Sequence, residues 1–112
     1  KPLATPNYKR EADITQPINT TVIGKDAEFL NIAFRFDGAN SEDSKFLPLM
    51  DGLLQNGQAG IMDLNLLQKQ KILDGYTYLA TMNDYSMFNL YGKPRQGQSL
   101  EEVQALLLEQ ID

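Results

Sequence analysis

Along Phe29-Leu30-Asn31-Ile32-Ala33-Phe34-Arg35-Phe36, the residues Leu30, Ile32, Phe34 and Phe36 fall on one face. Successive side chains of a strand point to opposite sides, so this period of two predicts a strand half-buried against a second layer. Upstream, the β-branched run Ile18-Asn19-Thr20-Thr21-Val22-Ile23 predicts another strand, ended by the turn residues Gly24-Lys25-Asp26. Downstream, Asp37-Gly38-Ala39-Asn40 is turn chemistry. Ser41, Glu42 and Asp43 then suit a helix N-terminus, whose backbone N–H groups lack partners and favour negative charge.

From there the period lengthens to three and four. Phe46, Leu49, Met50, Leu53 and Leu54 predict the inner stripe of a helix running to about Gln55, with Pro48 implying a late start or a kink because it has no N–H to donate. The stretch Asn56-Gly57-Gln58-Ala59-Gly60 breaks that helix. A second helix is predicted over Ile61–Lys71 through Ile61, Leu64, Leu67 and Lys71, with Leu66 beside them. Tyr76, Tyr78 and Ala80 alternate within Ile72–Met82, Asn83-Asp84 reads as a turn, and Tyr85–Tyr91 completes a predicted hairpin. After the loop Gly92–Gln98, Ser99-Leu100-Glu101-Glu102 matches the capping box, leaving Val103, Leu106, Leu107 and Ile111 as the inner stripe of a last helix. The order strand, strand, helix, helix, strand, strand, helix predicts an α+β two-layer domain, an antiparallel or mixed sheet with helices packed on one face. Residues 1–17, broken by Pro2, Pro6 and Pro17, read as a linker or edge segment ahead of a domain over 18–112.

Composition narrows the chemistry. A chain of 112 residues with a formal charge of -5 and scattered basic residues argues against nucleic acid, because phosphate binding needs clustered Lys and Arg. With no Cys and no His, the chain has no thiolate ligand, no Ser-His-Asp or Cys-His relay and no His-x-x-Glu-His zinc site. No run approaches the ~20 apolar residues of a membrane-spanning helix. A self-contained carboxylate enzyme would need paired acids in a shared pocket, and no spacing implies one.

Each candidate site has a plainer reading beside it. Asp37, Asn40, Glu42 and Asp43 offer oxygen ligands for a hard cation, but the calcium-loop pattern is absent and helix capping is favoured. Gly57 and Gly60 resemble an anion cradle only loosely, since no Gly-Lys-Ser/Thr ending follows; a helix corner is favoured. Tyr76, Tyr78 and Tyr85 suit a peptide-binding surface, with core packing the favoured alternative. Lys93 and Arg95 flank Pro94 and can grip a carboxylate, though loop charges are usually just solvated. An open sheet edge can take an extended peptide as an extra strand.

Several motifs, taken in order, are similar to insulinase/pitrilysin-type zinc peptidases: the strand Phe29–Phe36, Gly52-Leu53-Leu54-Gln55-Asn56-Gly57 at a helix end, Leu64–Lys71, and Gly97-Gln98-Ser99-Leu100-Glu101-Glu102-Val103. The resemblance spans roughly Ile18 to Asp112 and is nearest to the later, zinc-free domains of bacterial members. It implies a half-domain of the LuxS and mitochondrial-processing-peptidase type, part of a clamshell that closes around an unfolded peptide. It implies zinc in the parent protein or partner and none in this chain, with catalysis absent here. It also implies that the chain is a fragment of an inactive domain. The expected partners are the remaining domains of the parent or a zinc-bearing partner subunit, an unfolded peptide substrate and further copies of the fragment. A bacterial periplasm or cell envelope is the implied location. The family's substrate-binding Arg has no counterpart, because its position falls on Leu67 or Gln68; its Tyr reaches Tyr76 across a small insertion, making Tyr76 the implied substrate contact. The alternative is an independent peptide- or protein-binding module.

Overall fold

The computed structural model describes residues 1–112. Its elements are β1 (Leu30–Asp37), α1 (Asp43–Leu54), a π-helical turn (Asp63–Leu67), β2 (Asp74–Thr81), β3 (Tyr85–Lys93) and α2 (Leu100–Glu109). The strands form one antiparallel sheet in the order β1-β3-β2, with Phe34 opposite Phe88 and Leu79 opposite Phe88 on the other side. The two helices cover the same face, which makes the chain an α+β domain with an antiparallel sheet. From α1, Asp51 and Gln55 reach Thr77 of β2. From α2, Val103 and Leu107 lie against Gly92 of β3. Between these layers Leu47, Leu54, Met62, Leu66, Ile72, Phe88, Leu90, Val103 and Leu107 form the buried core, with Leu30, Ile32, Phe34 and Phe36 packed at its margin.

Three expectations are corrected. Ile18–Ile23 is not a strand: residues 1–29 contain no helix or strand apart from two bends, and Ile18, Val22 and Ile23 are 78%, 86% and 95% exposed. The run has the β-branched content of a strand but no hydrogen-bonded neighbour, and strand propensity alone does not supply one.

The inner stripe of α1 keeps only Met50 and Leu54 of the five predicted residues and gains Leu47. Leu47, Met50 and Leu54 face the sheet, whereas Phe46, Leu49 and Leu53 are 60%, 68% and 66% exposed. Both triplets have helical spacing, so periodicity does not choose between them. Polar partners do, because the inward face must also deliver Asp51 and Gln55 to Thr77. Pro48 lies inside α1 at an exposed position, and the helix starts ahead of it at Asp43.

The predicted second helix contracts to one wide turn. Gln68 N donates to Asp63 O at 2.8 Å and Lys71 N to Leu66 O at 2.8 Å, the five-residue spacing of a π-turn. This spacing buries Met62, Leu66 and Ile72 and leaves Leu64 outside; Gln70, at φ 52, ends the turn.

At α2, Ser99 has extended backbone and its Oγ accepts from Glu102 N at 3.2 Å. The reciprocal half of the capping box is replaced: the Glu102 carboxylate accepts from Gln98 Nε2 at 3.2 Å, and the same amide group donates to Lys71 O at 2.8 Å. Ser99→Ala is therefore expected to cost ~1 kcal/mol, the usual worth of a helix N-cap, read as a lower urea midpoint at unchanged slope.

Candidate functional site

The sheet face turned away from the helices is the open one. On it lie Asn31, Ala33, Arg35 and Asp37 of β1, Tyr85, Met87, Asn89 and Tyr91 of β3, and Tyr76, Tyr78 and Ala80 of β2, by the register of the two ladders. The alternation in β2 was read correctly as a strand, but the tyrosines do not pack into the core. Tyr76 and Tyr78 point outward, 37% and 43% exposed. The even-numbered phase belongs to solvent because Thr77 and Gly75 must face α1 and Ile72.

These rings form a connected aromatic surface. Tyr76 stacks on its cross-strand partner Tyr91 at 4.6 Å between centroids, Tyr78 lies 6.1 Å from Tyr76, and Phe29 covers the other side of Tyr91 at 5.4 Å. Cross-strand aromatic pairs rigidify one another, so the surface is largely preorganised. Beside it Asn89 is buried although it sits on the open face: its Nδ2 donates to Tyr78 O and Met87 O, and its Oδ1 accepts from Asn31.

At the far end of this face the N-terminal segment is clasped to the sheet. Arg10 pairs with Asp37, Arg35 Nη2 donates to Ala12 O at 2.6 Å, and Glu11 N donates to the Tyr85 hydroxyl at 2.7 Å. Both guanidinium groups lie over the Tyr85 ring, at 5.8 Å for Arg10 and 5.0 Å for Arg35. The hydrogen bond to Asp37, and then its charge, raise the Arg10 pKa above the ordinary guanidinium value against a smaller opposing effect of desolvation. Nothing in the sequence pattern signalled this clasp, since its members are remote in the chain and the two singled out, Asp37 and Tyr85, stood in different candidate sites.

The remaining candidates resolve into structural roles. Asp43 Oδ2 accepts from Asp37 N at 3.2 Å, while Glu42 pairs with Lys45 at 3.0 Å; no group of three carboxylates converges. Ser41 does not cap α1, because its hydroxyl donates to Gly38 O and the cap position is Glu42, which makes no side-chain bond. At the Gly57–Gly60 corner the amides of Ala59 and Gly60 donate to Asn56 O and Gly57 O, so they are not free to cradle an anion. Lys93 and Arg95 make no ion pair; Arg95 contributes its backbone N–H to Gln98 Oε1. A zinc ion of the His-x-x-Glu-His kind does not fit these residues, because there is no imidazole and no three acids converge. No helix is long and apolar enough to cross a membrane.

Comparison with protein families gives a match over residues 3–112 to the family described as the peptidase M16 inactive domain. That extent takes in every element of the fold and agrees with the resemblance carried by the helix end at Gly52–Gly57 and the capping box at Ser99. No curated protein matches the chain.

Proposed function

The chain belongs to the peptidase M16 inactive-domain family, and from that premise we propose that this non-catalytic domain helps enclose an unfolded peptide while a zinc site elsewhere in the parent protein, or in a partner subunit, cleaves it. The observation that carries this reading is the aromatic surface of Tyr76, Tyr78, Tyr91 and Phe29 on the open sheet face. Rigid aromatic groups with a polar tip offer contact area to a passing chain at little entropic cost, without dictating its sequence. Tyr76 is the substrate contact in this reading: one side of its ring is held by Tyr91 and its exposed part faces outward.

The stripe Phe46, Leu49 and Leu53 supports the remaining domains of the parent as neighbours. Three large apolar side chains aligned on one exposed helix face are the pattern of a surface that packs against something. A free-standing binding module, the second reading, has no need of that stripe.

In the intact parent, Tyr76→Ala is expected to lower kcat/KM for an unstructured peptide roughly tenfold, the loss of ~1.4 kcal/mol of contact, with Tyr76→Phe keeping most of the activity. The unfolding midpoint should move little, since the side chain is outside the core. Zinc content and chelator sensitivity are measured on the same preparation. Turnover unchanged by Tyr76→Ala removes Tyr76 from the substrate path; a parent complex with neither zinc nor cleavage removes the peptidase reading and leaves the binding module.

A further inference from the structure

We infer that Ile18–Ile23 closes onto the free edge of β1 as a fourth, antiparallel strand, filling the groove that now separates them. β3 is the one strand paired with β1, so apart from Asp37 N, which donates to Asp43 Oδ2, the other edge of β1 presents unpaired backbone groups. The opposite edge of the sheet is already partly blocked, because Gln55 Oε1 accepts from the outward N–H of Thr77 at 2.7 Å. Alongside β1 runs a groove of about 770 Å³. One wall is β1 itself, with half-buried Leu30, Ile32, Phe34 and Phe36 and with Leu108 of α2 beneath; the other is the chain's own stretch 13–19.

Direction is set at both ends. The clasp of Arg10, Glu11 and Ala12 on Asp37, Tyr85 and Arg35 fixes the start of the segment beside the C-terminal end of β1. Its other end is joined covalently to the N-terminal end of β1 through residues 24–29. A strand laid between those points runs antiparallel to β1, the arrangement a hairpin provides.

Register follows from side-chain parity. Ile18, Thr20 and Val22 are β-branched residues at alternate positions, and pairing Val22 with either Leu30 or Ile32 places all three over the apolar margin of the core. Shifting by one would instead turn Asn19, Thr21 and Ile23 inward and expose Ile18 and Val22, leaving the amide of Asn19 over the apolar margin. Pro17, with no N–H to donate, ends the ladder before Ile18, and the bend at Lys25-Asp26 lies within the connection. Closure would cover apolar side chains of Ile18 and Val22 and satisfy the edge of β1, which an incoming peptide or second copy could then reach only by displacing the strand. This inference concerns the domain itself and stands whether or not the domain encloses substrate.

The chain contains no cysteine, so paired substitutions report the register directly. Asn19→Cys with Ala33→Cys tests the register that sets Val22 against Leu30, and Thr21→Cys with Ala33→Cys the one that sets Val22 against Ile32. Thr20→Cys with Ala33→Cys places the thiols on opposite faces as the control. One of the first two pairs is expected to form an intramolecular disulfide roughly tenfold faster than the control, because only correct facing brings the Cβ atoms within the ~3.5–4.5 Å a disulfide requires. All four positions, Asn19, Thr20, Thr21 and Ala33, are exposed, so folding is not at stake. Hydrogen exchange supplies the second reading: outward amides of β1 should be protected in the native chain and lose that protection in Val22→Pro. Equal oxidation of all three pairs, or identical exchange with and without Val22→Pro, overturns the inference.

Discussion

Phe88→Ala is expected to destabilise the domain by ~3–5 kcal/mol, a large part of the ~5–15 kcal/mol that a folded domain typically has. Phe88 is the largest fully buried side chain, at the middle of the central strand, with Phe34 and Leu79 as its cross-strand neighbours. It meets both helices' side of the sheet, and truncation leaves a cavity around which β3, paired on both edges, cannot easily collapse. A two-variant comparison on α1 checks the same logic: Leu47→Ala should cost ~2–5 kcal/mol, whereas Leu49→Ala, two residues on and on the exposed stripe, should stay within ~0.5 kcal/mol. Urea unfolding followed by circular dichroism measures all three. A loss below about 1 kcal/mol for Phe88→Ala would remove Phe88 from the core, and a larger loss at Leu49 than at Leu47 would mean that α1 packs with its other face inward.

That comparison also shows where sequence patterning runs out. The alternation of Leu30, Ile32, Phe34 and Phe36 located β1, and the Asn83-Asp84 turn located the hairpin, because a two-residue period and a turn dipeptide are local signals. Ser99 located α2 for the same reason. The face of α1 was not local information: Phe46/Leu49/Leu53 and Leu47/Met50/Leu54 are equally periodic, and the choice rests on Thr77, remote in sequence, needing Asp51 and Gln55.

The open-face aromatics follow a similar pattern. Tyr76 and Tyr78 were legible as strand residues, but which side they face depends on Gly75 lying against Ile72 and Tyr91, where a Cβ would come within 2.6 Å of Ile72 Cδ1. The clasp of Arg10, Arg35, Asp37 and Tyr85 joins three segments and had no signature at all. Family resemblance singled out Tyr76, and the fold adds the stacking partner that holds it, Tyr91.

Gly38→Ala is expected to be the most damaging of the single-methyl substitutions, at ~3 kcal/mol. Gly38 follows β1 and is buried under the tip of the β2–β3 hairpin, where a Cβ would fall 2.0 Å from Asn83 O and 2.5 Å from Asn83 C. Overpacking usually costs ~1–3 kcal/mol when side chains can give way. Here the obstruction is backbone, so the hairpin tip itself must lift. Lifting it strains the hydrogen bond from Ala39 N to Met82 O, 2.9 Å long, which adds ~1 kcal/mol if broken. Gly52→Ala supplies the opposite sign: it lies in α1 with nothing within 4 Å of the added methyl, and replacing an exposed helical glycine should stabilise by ~0.5–1 kcal/mol. The pair separates steric contact from backbone entropy, since each adds the same atom. The damage at Gly38 should also be felt at the clasp, because Tyr85 begins β3 directly after that tip and accepts from Glu11 N. In Gly38→Ala the backbone amide of Glu11 should therefore exchange faster than in the native chain, while in Gly52→Ala it should not change; a Gly38→Ala protein as stable as the native one would show that the turn after β1 does not rest on the hairpin.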